Sequence, residues 1–123
     1  MTKTKSGKTK VPNLTLLDRF GGGTSLIGYM TASYKDLRRV LGPPNVEAGD
    51  KVSTEWAVKY KGYAFTIYDY KETNIYDRSL PSVRKFRSLP SYEWHIGGHG
   101  TLGLEEFKRA ILEAIENTGE VLH

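Results

Sequence analysis

Cysteine is absent from the 123 residues, which excludes a disulfide framework and thiolate chemistry and is compatible with a reducing compartment. No apolar run approaches the roughly 20 residues needed to cross a bilayer, so no membrane partner is expected. The N-terminal stretch lacks the apolar core of a secretory signal, and the expectation is a cytoplasmic or nuclear product that is not secreted. Catalytic and metal-binding motifs of high specificity are missing too, and no cofactor is implied. Acids are absent from the first ten residues, where Lys3, Lys5, Lys8 and Lys10 stand among Thr, Ser and Gly. Those four lysines carry the whole net charge of +4, because 14 basic and 14 acidic residues remain in the body. Residues 1–12 therefore read as a mobile basic arm, able to contact nucleic acid or simply to solubilise the chain.

What is present is enough for one packed domain over residues 13–123, with 38% hydrophobic and 11% aromatic residues. Val11 to Phe20 reads as a lead-in whose Leu14, Leu16 and Leu17 can dock. Gly21 to Gly23 marks the expected start of the compact fold. Thr24 to Met30 reads as a strand. Ser33 caps a short helix with Asp36 three residues on, and Tyr34, Leu37, Val40 and Leu41 form its buried stripe. Arg38 and Arg39 are expected toward solvent. Gly42 and Pro43-Pro44 stop the helix.

The hairpin is the most sharply determined element. Trp56, Val58 and Tyr60 alternate on one side of Lys61-Gly62, and Tyr63, Phe65 and Ile67 alternate on the other. A two-residue turn pairs Tyr60 with Tyr63, Val58 with Phe65 and Trp56 with Ile67; a one-residue slip would send that set to the wrong face. Residues 71–91 then read as a long loop with Pro81 and Pro90. Its five basic residues are Lys71, Arg78, Arg84, Lys85 and Arg87, against Glu72 and Asp77. Tyr92 to Ile96 is a short strand. Leu102 to Glu116 is the closing helix, with Leu104, Phe107, Ile111, Leu112 and Ile115 as its buried stripe. This order predicts an α+β fold: a small, mainly antiparallel sheet of about four strands with two helices on one face.

Several segments together span residues 24 to 98: Thr24-Ser25-Leu26-Ile27-Gly28-Tyr29, Ser33-Tyr34-Lys35-Asp36-Leu37, Gly42-Pro43-Pro44-Asn45, Thr54-Glu55-Trp56, Thr66-Ile67-Tyr68-Asp69-Tyr70-Lys71 and Trp94-His95-Ile96-Gly97-Gly98. In this order they resemble an uncharacterised family of small proteins from tailed phages and large DNA viruses. The resemblance implies a viral accessory or virion-associated protein, in the host cytoplasm or nucleus or packaged in the particle. It supplies no catalytic residue. The lysine arm and the Arg78 to Arg87 stretch look like additions to the family pattern.

The candidate site is the corner from Trp94 to Gly100. Glycines at a strand-to-helix junction let backbone amides approach an anion. Gly97 and Gly98 would supply those amides, His95 and His99 would donate hydrogen bonds, and Arg84, Lys85 and Arg87 would close over a phosphate. Trp94, Tyr68 or Tyr70 would stack on a base if exposed. The competing account makes the glycines a tight turn, Trp94 core and the histidines ordinary. A metal at His95 and His99 is disfavoured, because the intervening glycines argue against the helix that would align them. Asp69-Tyr70-Lys71 with Glu55 or Asp50 suggests a Mg²⁺-dependent nuclease, but the hairpin register puts Glu55 and Asp69 on opposite faces. The leading expectation is a non-enzymatic protein binding nucleic acid or a nucleotide. A structural component among viral proteins is the alternative and a nuclease the third reading; a homo-oligomer is compatible with each.

Overall fold

The computed structural model describes residues 2–3, 7–20 and 22–119. Along the chain, β1 (Thr2–Lys3), β2 (Gly7–Lys8), β3 (Leu14–Leu16), β4 (Arg19–Phe20) and β5 (Ser25–Ala32) lead into α1 (Tyr34–Leu41). The hairpin β6 (Glu55–Tyr60) and β7 (Tyr63–Tyr68) follows, then α2 (Val83–Arg87), β8 (Tyr92–Gly98) and α3 (Leu104–Gly119). The main sheet has six strands in the order β2-β3-β6-β7-β8-β5, and β1 pairs separately with β4. Every register in it is antiparallel.

The hairpin register is the one its alternation dictates: Tyr60 faces Tyr63, Val58 faces Phe65 and Trp56 faces Ile67. Lys61 and Gly62 turn at φ 48° and 92°, the left-handed pair that a tight two-residue hairpin requires. One face of the sheet carries Trp56, Val58, Phe65, Ile67, Trp94 and Ile96, each at most 1% exposed. All three helices pack there. Tyr34 at the start of α1 lies 5.8 Å from Trp56, Phe86 of α2 lies 5.7 Å from Trp94, and Phe107 of α3 stacks on Phe65 at 4.3 Å. The Ser33 hydroxyl accepts the Asp36 N–H at 3.0 Å, as its spacing from Asp36 predicts.

The structure corrects the simpler expectation of about four strands and two helices in several places. Leu14–Leu16 is no docking lead-in but a sheet strand, hydrogen-bonded to β6 with Leu14 opposite Tyr60. Upstream of it, Gly7–Lys8 extends the sheet, the Lys10 N–H donates to the Val40 carbonyl at 2.8 Å, and Val11 is 2% exposed. The fold thus begins before Gly21–Gly23. The 71–91 stretch contains α2, capped by Ser82, whose hydroxyl accepts the Lys85 N–H. In α3 Leu112 is 42% exposed while Ala114 is buried, so the apolar stripe is rotated from the expected one. Arg39 does not simply face solvent: it donates to the Asp36 carboxylate, the Thr118 hydroxyl and the Ile115 carbonyl, tying α1 to the last turn of α3.

Candidate functional site

The expected corner is divided by the fold. Gly97 and Gly98 belong to β8, whereas α3 begins at Leu104. Glu105 and Glu106 occupy the first turn of α3, so its partial positive end already faces carboxylates. His99 is exposed and, with Tyr63, Phe65 and Leu102, lines an apolar pocket of about 340 Å³. Arg84, Lys85 and Arg87 sit at the opposite end of β8, because α2 is anchored by Phe86 against Tyr92 and Trp94. Trp94 is fully buried, with its indole N–H donating to the Ala32 carbonyl at 2.9 Å, so it belongs to the core.

Part of the basic set gains a different neighbourhood. Arg84 and Arg87 of α2 meet Tyr34 and Lys35 of α1 across a groove of about 480 Å³ that also includes Val83 and Ser88. Arg87 is held in place: its Nε donates to the Thr54 hydroxyl at 3.1 Å, and its guanidinium lies 4.7 Å over the Tyr34 ring. Among the described residues no carboxylate lies within 4.0 Å of Lys35, Arg84, Lys85 or Arg87; the ion pairs are Arg39–Asp36, Lys61–Glu106 and Lys108–Glu105. The groove therefore presents cations whose charge is not cancelled at contact distance. Lys85 itself is exposed outside it.

A second constellation lies on the sheet face away from the helices. The pleat and the registers align Glu55, Tyr68, His95 and Tyr29 in one row across β6, β7, β8 and β5. The next row is Ala57, Thr66, Gly97 and Leu26. His95 is ringed by tyrosines: Tyr29 at 5.2 Å, Tyr68 stacked at 5.3 Å, Tyr70 at 5.9 Å and Tyr92 at 6.4 Å. Its Nδ1 is buried and has no hydrogen-bond partner among the described residues, and the same holds for the Thr66 hydroxyl. Between them Gly97 leaves no room for a side chain. A Cβ there would stand 2.5 Å from Thr66 Oγ1 and 3.0 Å from Thr24 Oγ1.

Glu55 at the end of the row is pushed up to about 7, first by burial and then by the nearby Asp69 carboxylate. Burial, then Glu55, Tyr29 and Tyr70, likewise raise the Tyr68 phenol. Asp69 itself is fully buried and accepts from the Ser53 N–H, the Thr54 N–H and the Ser53 hydroxyl, fastening the segment just before β6 to the end of β7. Lys71 lies 5.2 Å over the Tyr70 ring and 5.1 Å over that of Tyr76. The carboxylate of the Asp69-Tyr70-Lys71 triplet is thus engaged with backbone and hydroxyl donors, and the lysine with rings. Among the described residues no cluster of three or more His, Asp and Glu is arranged to hold a metal ion. No described helix is long and apolar enough to cross a membrane. Of the arm, Lys8 is exposed on β2 and Lys10 follows it, also exposed. Lys5 and the side chain of Lys3 lie outside the described residues.

Sequence reasoning missed Lys35 and Tyr34 in the groove, and Tyr29 and Thr66 on the sheet face. Their signal was partly available. The hairpin register already puts Thr66 and Tyr68 on one face with Glu55; only the positions of β5 and β8 were needed to complete both rows. The chain is thus an α+β domain with an antiparallel sheet, one face under helices and the other carrying a tyrosine–histidine row. No model of a known protein family matches it, and no curated protein does.

Proposed function

We propose that this is a binding protein without catalytic chemistry of its own, a viral accessory factor whose ligand bears phosphate, either nucleic acid or a nucleotide. The observation that carries the reading is the α1–α2 groove, where Lys35, Arg84 and Arg87 converge with no carboxylate within 4.0 Å among the described residues. Arginine suits this role because its planar fork meets phosphate oxygens in pairs, and fixing Arg87 on Tyr34 and Thr54 lowers the entropy lost on binding. Lys8 and Lys10 add charge for a polymeric ligand without forming a site of their own.

The test is binding of fluorescent oligonucleotides and nucleotides over a range of salt concentrations. Arg84→Ala with Arg87→Ala is expected to weaken binding by roughly tenfold or more and to lower the salt slope by roughly 1.5 to 2, the value for two lost phosphate contacts. An affinity and slope unchanged in the double variant would refute the groove as the site. Absence of saturable binding even at low salt, with the protein recovered only inside purified particles, would instead favour a structural role in a virion.

A further inference from the structure

We propose that the sheet face opposite the helices is a nucleobase-binding surface, with a base stacking against Tyr29 and Tyr70 and its polar edge met by His95 Nδ1 and the Thr66 hydroxyl. The inference deepens the phosphate reading by naming the other part of the same ligand, a single-stranded nucleic acid. Its evidence is separate from that of the groove.

Buried donors and acceptors are nearly always paired in folded proteins, and an unpaired one costs free energy that a ligand can return. Here His95 Nδ1 and Thr66 Oγ1 lack partners among the described residues, and both lie on the same sheet face. They are diagonal neighbours, since Tyr68 faces His95 and Thr66 faces Gly97, and Gly97 adds no side chain between them.

Tyr29 and Tyr70 are 43% and 39% exposed, and the half-buried Tyr68 is stacked on His95. Both rings lie against the His95 imidazole, and the proposal has them swing aside to admit the base. Hydrogen-bonding atoms set between ring faces suit a flat heterocycle with hydrogen-bonding edges, and every base offers such a face and such edges. A cation finds Glu55, whose burial favours its neutral form up to about pH 7. Lys71, poised over Tyr70, and Lys59, one row beyond Ala57, stand where a strand's phosphates would leave the face.

Nucleosides carry the base without the phosphate and separate the two readings. Titrating adenosine, guanosine, cytidine and uridine into isotope-labelled protein is expected to shift the Gly97 amide and the His95 ring resonances saturably, with one base preferred. Single-stranded oligonucleotide is expected to bind tighter than duplex of the same sequence. Tyr29→Ala with Tyr70→Ala should weaken it roughly tenfold while leaving the salt slope in place; Tyr29→Phe with Tyr70→Phe, which keeps both ring faces, should restore it. Gly97 and His95 resonances that do not move with any nucleoside, together with oligonucleotide binding indifferent to the two alanines, would overturn the base surface. If that binding still depends on Arg84 and Arg87, the phosphate reading survives alone. Nucleoside shifts retained with a groove variant that binds as wild type would leave the base surface standing and the groove refuted.

Discussion

Replacing Glu55 by Gln isolates one proton in the pH dependence of stability. In the fold this carboxyl titrates near 7, and its ordinary value is 4.5. Below about pH 4.5 the group is protonated in both folded and unfolded chains and contributes no difference in charge. As pH rises, the unfolded chain releases the proton first, and the folded chain holds it until about 7. The folded state is the one binding more protons in that window, so stability falls with rising pH and the loss is complete above about 7. A displacement of this size corresponds to about 3 kcal/mol, and the partial exposure of Glu55 trims it toward ~2 kcal/mol. Glutamine keeps the shape and hydrogen-bonding capacity without the charge. Urea unfolding of both proteins from about pH 4.5 to about pH 8.5 should therefore give curves that nearly meet at the acid end. At the alkaline end they should separate, with the variant more stable by about 2 to 3 kcal/mol. Because every other group is common to both, the difference curve reports Glu55 alone. Curves that run parallel across the range, or a wild type that gains on the variant as pH rises, would refute the argument from burial.

Asp69→Ala leaves the Ser53 N–H, the Thr54 N–H and the Ser53 hydroxyl without their acceptor in a buried place. A loss of about 3 kcal/mol or more in chemical denaturation is expected, and a loss below ~1 kcal/mol would mean that water replaces the carboxylate freely. Arg39→Ala removes the donors to the Ile115 carbonyl and the Thr118 hydroxyl, and is expected to cost about 1 to 3 kcal/mol. Faster amide exchange should then be confined to the last turn of α3, and protection unchanged there would show that Arg39 does not tie the helix down.

The hairpin was legible because two independent signals coincide in it, the alternation of Trp56 to Ile67 and the turn at Lys61-Gly62. Capping of α1 by Ser33 was legible for the same reason: the acceptor and its donor lie three residues apart. Strands β2 and β3 were not, since two or three residues carry no usable period; β3 is held by a partner more than forty positions away, Leu14 opposite Tyr60, and β2 pairs only onto β3. Gly21 to Gly23 then read as a boundary, although the chain on both sides of it belongs to one sheet. The sheet-face row failed to emerge for a related cause. His95 acquires its tyrosines only because β8 sits between β7 and β5, an order that local pattern leaves open.

Charge shows the same division between composition and placement. The body beyond the first ten residues has equal numbers of acids and bases, so its chemistry depends on where the acids are engaged. Asp36 adjoins Lys35 in sequence, yet its carboxylate pairs with Arg39. Asp69 is held by Ser53 and Thr54, Glu106 pairs with Lys61, and Glu72 accepts the Tyr92 hydroxyl at 3.0 Å. Glu55 is neutral through the acid range up to about 7. Among the described residues many bases have no carboxylate within 4.0 Å, Arg38, Lys51, Lys59, Lys71, Arg78 and Arg109 included; Lys35, Arg84 and Arg87 differ from these in meeting across one groove between α1 and α2. A body with no net charge can in this way present a positive groove. Mutating Asp36 would both free Arg39 and leave the groove side of α1 more positive by one charge, whereas mutating Asp69 would act chiefly through the fold, by releasing Ser53 and Thr54.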